Sequence, residues 1–291
     1  MKTKIKAYKL NSFAKSIEGG NPAGVVLGAD NLSDNDMKKI ASILKLSETA
    51  FVMKSDCADF KVRFFTPSEE VDLCGHATIG TYYTLSSEGI IKPGIYSQET
   101  KAGILNVEVK EDLSIMMNQT LPSFYEIIPR EEIADSLNIS PEDIPENLPI
   151  QIVSTGLSDI IIPVKTIMTL NSIRPDFKKI EEISKKYNVV GYHVFTLESL
   201  DNSTAQCRNF APLFGIPEES ATGTSNGALG CYLYKYNKIS ADQARNIVIK
   251  QGYSMKKPSE IFVSLKVEKA EILEVKVGGK ALNLTTIEVE I

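Results

Sequence analysis

The chain has 291 residues, 43% apolar and 24% charged, enough to bury a substantial core as one large domain or two of ordinary size. Its 32 basic and 37 acidic residues leave a net charge of −5, which gives no electrostatic footprint for nucleic acid or for an anionic membrane surface. Cys57, Cys74, Cys207 and Cys231 show no C-x-x-C spacing and His76 and His193 are the only histidines, so neither a zinc ribbon nor a disulfide framework is indicated. The thiols read as free, in a reducing cytoplasm.

The opening segment MKTKIKAYKL is basic but alternates polar and apolar residues, and no run approaches the about 18 apolar residues of a membrane span. No targeting or spanning segment is expected. Residues 3–10 alternate like a half-buried strand, and GGNPAGVVL (19–27) is a turn followed by a short strand. The period then changes: Ser33 and Asp36 form a capping-box-like pair, and Met37, Ile40, Ala41 and Leu44 share one helical face, which predicts a helix over 34–45. Strands are expected at 48–53 and 59–67, a helix over 76–88 that Gly89 stops, and three more strands within 94–119.

After a short helix at 129–137 the order recurs. QIVSTGL and DIIIPV read as strands, 176–187 as a helix, VVGYHVFTL and TAQCRNFAP as strands, and GTSNGALGCYLYKY opens another helix. The halves also match in residues: V-R-F-F-T-P (62–67) corresponds to C-R-N-F-A-P (207–212), each followed by an acidic loop and a glycine helix start, C-G-H-A (74–77) and T-G-T-S (222–225). The expectation is a duplicated α+β unit with mostly antiparallel sheets, residues 1–127 forming one lobe and 128–291 the other. The final strand, ALNLTTIEVEI, is free to return to the first lobe.

The first turn of a helix has unpaired N–H groups and the positive end of the macrodipole, so two such ends facing one cleft suit a carboxylate or a developing enolate. Gly75 and Gly223 either let a ligand approach that backbone or merely permit tight loops. Cys74, Gly75 and His76 leave three chemistries open: a thiolate nucleophile, a metal site, or an anion-binding loop. No second ligand cluster accompanies them, so no metal is expected, and a Cys-His dyad is disfavoured because residues two apart do not face each other on a helix.

Taken together, N-P-A-G-V-V-L (21–27), L-S-E-T-A-F-V (46–52), R-F-F-T-P (63–67), D-L-C-G-H-A-T (72–78), S-T-G-L (154–157) and G-I-P-E-E-S-A-T-G-T-S-N-G-A-L (215–229) resemble the PhzF-type phenazine-biosynthesis isomerase family across essentially the whole chain. The resemblance implies a diaminopimelate-epimerase-like fold, two lobes related by an approximate twofold axis with each sheet wrapped around a central helix. It also implies a homodimer, no cofactor, and proton relocation on a small carboxylated, cyclic or unsaturated metabolite.

By the same resemblance Glu48 shuttles the substrate proton, Gly75 and His76 hold the substrate and assist, the functional aspartate of the second lobe falls on Glu219, and the substrate-binding serine falls on Thr224. Three departures stand out: Glu219 is one methylene longer than the expected aspartate, Ser220 replaces a proline, and Asn226 stands where many members carry histidine. They weigh against the phenazine precursor itself as substrate.

Read by itself, Glu48 is either a surface glutamate opening a strand or a base among Leu46, Ala50 and Phe51 whose burial raises its pKa toward neutrality. Glu219 is either functional or a solvated loop acid, and His76 either functional or a packing residue. Diaminopimelate epimerases and proline racemases, relatives in fold, place a cysteine before a glycine in each lobe; here the second position is Thr222, whose hydroxyl is too weak an acid or base for that role. Cys74 is therefore assigned to lining the pocket. A catalytically silent binding protein and an altered two-thiol epimerase are the alternatives.

Overall fold

The computed structural model describes residues 3–199 and 201–291; Met1 and Lys2 of the opening segment, and Leu200, lie outside the described residues. The chain divides into two compact units, one of residues 1–118 with 278–291 and one of residues 119–277.

In the first unit, β1 (Lys4–Ser12), β2 (Asn21–Leu27), α1 (Asp34–Leu44), β3 (Thr49–Met53), β4 (Phe60–Phe65), β5 (Glu70–Val71), α2 (Gly75–Ser87), β6 (Gly94–Thr100), β7 (Gly103–Val109) and β8 (Ile115–Gln119) follow in order. Antiparallel pairing dominates: β1 with β2, β3 with β4, β6 with β7, and β7 with β8. The parallel pairs are β2 with β3 and β4 with β6. The last strand, Ala281–Glu290, runs antiparallel along β1 from Lys4↔Glu290 to Ser12↔Ala281.

The capping box expected at α1 is present, Ser33 Oγ accepting from the Asp36 N–H at 3.2 Å and Asp36 Oδ2 accepting from the Ser33 N–H at 3.0 Å. Met37, Ile40 and Ala41 of this helix are buried. In contrast, α2 is buried on nearly every side, from His76 to Leu85, against β1, β2, β3, β7 and the last strand. Close approach of helix to sheet needs a residue without a side chain: a Cβ on Gly80 would lie 3.3 Å from Leu10 Cδ2 and 3.4 Å from Ser12 Oγ.

The second unit contains β9 (Ser123–Ile128), α3 (Arg130–Leu137), β10 (Ile150–Ser154), β11 (Ser158–Pro163), α4 (Ile167–Ser172), α5 (Phe177–Tyr187), β12 (Gly191–Thr196), β13 (Ala205–Ala211), β14 (Ile216–Glu219), α6 (Gly223–Lys235), β15 (Ile247–Gln251), β16 (Ser259–Glu268) and β17 (Glu271–Gly279). β9 pairs with β10 and so goes with this unit. The pairing order repeats that of the first unit. β10 and β11 are antiparallel, β11 and β12 parallel, β12 and β13 antiparallel, β13 and β15 parallel, and β15 and β16 antiparallel. α6 is buried from Ser225 to Leu233 and packs on β10, β11 and β16.

The repeat extends to individual contacts. Arg63 on β4 forks onto Glu70 through Nε–Oε1 at 2.8 Å and Nη2–Oε2 at 2.9 Å, and its guanidinium lies 5.1 Å from the Phe65 ring. Arg208 on β13 forks onto Glu218 with both bonds at 2.9 Å and lies 4.9 Å from the Phe210 ring. Each pair fixes the loop that leads into its central helix, α2 or α6.

Candidate active site

In the first unit, Cys74 is the N-cap of α2, with extended backbone (φ −140°, ψ 114°), so its side chain is not carried on the helix. Gly75 and His76 are the first two helical residues. The His76 carbonyl accepts a hydrogen bond from Ser12 Oγ at 2.6 Å, which ties the helix start to the end of β1. Glu48 immediately precedes β3, and its carbonyl accepts from the Gly24 N–H of β2 at 3.1 Å.

These anchors bring four side chains around one buried imidazole. His76 Nε2 lies 3.1 Å from Glu48 Oε2 and 3.2 Å from Ser47 Oγ. Its Nδ1 lies 3.4 Å from Cys74 Sγ and 3.5 Å from Asn21 Nδ2. The Glu48–His76 contact is close but not aligned as a hydrogen bond, so Oε2 is buried with no aligned donor on it.

The expectation that burial raises the Glu48 pKa is overturned. Burial does push it up, but the His76 ring, with the Ser47 hydroxyl and the Cys74 thiol, outweighs that push and holds the carboxyl below its ordinary 4.5. For His76, burial acts to lower the pKa, and the Cys74 sulfur and the Glu48 carboxylate overcome it, holding the ring well above 6.5. Burial raises the Cys74 thiol despite the neighbouring ring. A protonated thiol carries no charge, so at neutral pH the Glu48 carboxylate is the negative partner of the imidazolium. The result is a base and an acid held side by side.

A second correction concerns Cys74 and His76, which do meet. The helical spacing rule fails because Cys74 caps the helix from extended backbone and turns its sulfur back toward the ring. Donor atoms of Glu48, Cys74 and His76 all lie within 4.8 Å of one another, making them the set among the described residues with the spacing to hold a metal ion. Glu48 joins the pair from a different element as a third donor, not as a second cluster.

At Gly75, a Cβ would meet only Met117 Cε at 3.5 Å, an ordinary contact. Packing within the protein therefore does not require glycine there.

In the second unit, Thr222 caps α6 and Gly223 and Thr224 are its first two residues. Thr222 Oγ1 donates to Glu219 Oε2 at 2.7 Å and accepts from Gln251 Nε2 at 3.0 Å, and the Thr224 carbonyl accepts from Thr155 Oγ1 at 3.1 Å. Asn226 is fully buried and donates to the Thr222 carbonyl and to Gln251 Oε1, both at 2.8 Å, and its Oδ1 lies 3.2 Å from His193 Nε2. It braces the helix start from within. Burial holds His193 down, to about 4, so the ring is neutral.

The sequence reading passed over Ser47, Asn21 and Gln251. Ser47 stands next to Glu48 within 46–52 and Asn21 opens the motif at 21–27, which are the signals that pointed to them; Gln251 lies on a strand with no such mark.

Repeated sheets, each with a buried central helix, and relatives named as isomerases place the chain among isomerases of diaminopimelate-epimerase-like fold. It belongs to the PhzC-PhzF family of phenazine biosynthesis-like proteins, whose model matches residues 10–286. An uncharacterized isomerase of Clostridium acetobutylicum is 39% identical over 289 residues, 96% of each chain. Trans-2,3-dihydro-3-hydroxyanthranilate isomerase of Pseudomonas chlororaphis is 27% identical over 94% of this chain and 95% of its own. The crystal structure of a Bacillus anthracis phenazine biosynthesis protein of the PhzF family aligns with a TM-score of 0.89 at 32% identity, covering 99% of this chain and 100% of that one. A hydroxyproline epimerase from Agrobacterium vitis shares the fold alone, with a TM-score of 0.62 at 13% identity over 99% of this chain and 91% of that one. No helix among the described residues is long and apolar enough to cross a membrane.

Proposed function

We propose that the protein relocates a proton on a small cyclic or unsaturated carboxylate, with Glu48 as the base that takes the proton from one carbon and returns it to another. The observation that carries this reading is the buried Glu48 Oε2, 3.1 Å from the His76 ring and without an aligned donor. A carboxylate held below its ordinary pKa is ionised at neutral pH and so is ready to accept. It is also a weak base, which restricts the substrate: the C–H must be acidified by conjugation to a carboxylate, so that the charge left behind spreads as an enolate. The imidazolium of His76 and the N–H groups of the α2 start supply positive potential for that charge.

In this reading Gly75 leaves the α2 backbone open to the ligand, Cys74 fills the wall beside His76, and Gly223 and Thr224 offer the α6 start to an anionic group. Glu219 orients the ligand through its carboxylate and through Thr222. The substrate named for the Pseudomonas relative is a cyclic, unsaturated carboxylate and belongs to this chemical class. The departures at Glu219, Ser220 and Asn226 weigh against that same substrate here. As the family resemblance implies, the protein acts as a homodimer and without a cofactor, and the free state of all four cysteines supports a reducing compartment, the cytoplasm.

A test is to incubate the purified protein in D2O with a panel of unsaturated and amino-substituted cyclic carboxylates and follow deuterium uptake by NMR. The reading predicts deuterium at the receiving carbon of at least one of them. Tight binding across the panel with no exchange and no isomerisation would replace it with a silent binding protein.

A further inference from the structure

We propose that Asp159 is a positioning residue for the first turn of α6, acting through Ser225, and that an anion binds at that turn most readily when Asp159 carries a proton. The second half of this statement rests on the anion-binding reading of the α6 start given above.

Asp159 lies on β11 and is 1% exposed, as is Ser225, the third residue of α6. Its Oδ2 accepts from Ser225 Oγ at 2.7 Å, while Oδ1 is buried with no aligned donor on it, the Gly191 backbone N–H giving the carboxyl only its smallest stabilisation. An anion with one oxygen short of donors in the protein interior is costly, whereas a neutral carboxyl tolerates it better. The first unit has no counterpart: by parallel-strand register Asp159 pairs with Gly191 as Gly24 pairs with Thr49, so the matching place on β2 is a glycine.

From Ser225 a chain of polar contacts crosses the unit to the candidate site residues. Asn209 Nδ2 donates to Ser225 Oγ and lies near His193 Nδ1, both at 3.2 Å. The His193 ring leads to Asn226 at 3.2 Å, Asn226 to Gln251 at 2.8 Å, Gln251 to Thr222 at 3.0 Å, and Thr222 to Glu219 at 2.7 Å. The charge on Asp159 is therefore felt at both ends of the α6 entry.

Burial raises the Asp159 pKa and the Glu219 charge adds to the rise, against the Ser225 hydrogen bond and a smaller pull from the Gly191 backbone N–H, taking it to about 7. The ionisable surroundings are few. β14 brings Glu219, β12 brings His193, held neutral, β10 carries no ionisable side chain, and the ionisable residues of α6 (Cys231, Tyr232, Tyr234 and Lys235) lie in its second half. Unprotonated, Asp159 takes up part of the positive end of α6 and repels an incoming anion; protonated, it does neither. Anion binding at this turn therefore draws in a proton, and affinity falls as the pH rises through about 7.

The test uses the full-length protein and the neutral, same-shaped variant Asp159→Asn. Amide NMR spectra of the unliganded wild type, taken from about pH 5.5 to about 8.5, should show Gly223, Thr224 and Ser225 shifting with one midpoint near 7, a response missing from the variant. Silent amides in the wild type, or the same titration in Asp159→Asn, would overturn the proposal. With anthranilate as the probe, wild-type affinity should fall about fivefold or more across that range, while the variant keeps the low-pH affinity throughout. A wild type whose anthranilate affinity does not change with pH, although its amides titrate, overturns the linkage. Amides that titrate in a wild type to which anthranilate does not bind at any pH support the positioning role and overturn the anion-binding reading of the turn.

Discussion

Glu48 and His76 approach within 3.1 Å from elements far apart in the chain, one residue before β3 and the second residue of α2. Each holds the other in its charged form. Raised above 6.5, His76 contributes stability that is full below that value and is lost as the pH rises through its folded pKa. Glu48, lowered from 4.5, contributes stability that is full above that value and is lost as the pH falls through its own. The pair therefore supports the fold most between about pH 4.5 and 6.5. Urea unfolding of wild type and His76→Asn across pH should show the stability difference shrinking on both sides of that window; a difference independent of pH would show that the pair is not ionic.

Cys74 touches the imidazole but burial keeps its thiol protonated. Cys74→Ala should retain turnover within about tenfold, about 1.4 kcal/mol in barrier. Iodoacetamide on the native protein should label the exposed Cys57 and spare Cys74, Cys207 and Cys231, which peptide mass mapping reads directly. A thousandfold loss in Cys74→Ala without unfolding would return the thiol to the chemistry.

Gly75 has no protein neighbour that forbids a side chain. Gly75→Ala should fold as well as wild type or gain up to about 1 kcal/mol in thermal unfolding, because alanine suits a helix better. Its affinity for a carboxylate ligand should nevertheless fall by about tenfold, since the new methyl occupies ligand space. Unchanged affinity would place the ligand elsewhere.

The two arginine forks differ in depth. The Arg208 side chain is 9% exposed and also donates to the Leu170 and Ile173 carbonyls, whereas Arg63 is 21% exposed. Arg208→Ala should cost about 3 to 5 kcal/mol by leaving Glu218 and two carbonyls unpaired. Arg63→Ala should cost less, about 1 to 3 kcal/mol, by the same denaturation measurement.

The repeated fold was readable because short signals recur in register: R-F-F-T-P against R-N-F-A-P, each followed by a glycine helix start, became the paired arginine forks and the paired buried helices. α1 was readable from its capping box and apolar stripe, with the observed Asp34–Leu44 one residue short of the expected end. α2 and α6 carry no such stripe because they are buried all round, and only their glycines and flanking motifs marked them. Between α6 and the final strand the strands went unassigned, although β16 does alternate buried and half-buried residues; β14, just before α6, is four residues including Pro217 and too short to show any period.

At the site, residue identity was legible and electrostatics was not. Glu48 stood out by motif, yet the sign of its pKa shift depends on His76, which only the tertiary fold brings to it. Likewise the Cys74–His76 contact follows from a backbone turn at the helix cap, which residue spacing does not encode. Asp159 opens the DIIIPV strand just beyond S-T-G-L, and its burial comes from the tertiary fold, which that position does not encode.

The central claim is that Glu48 carries the proton, and Glu48→Gln tests it most directly, because the amide keeps the shape while removing the basic oxygen. On a verified substrate in D2O, binding should survive while turnover and deuterium incorporation fall together by about 10²- to 10⁴-fold, about 3 to 5 kcal/mol. Wild-type turnover and exchange in Glu48→Gln would contradict the account and pass the role of base to His76 or Glu219.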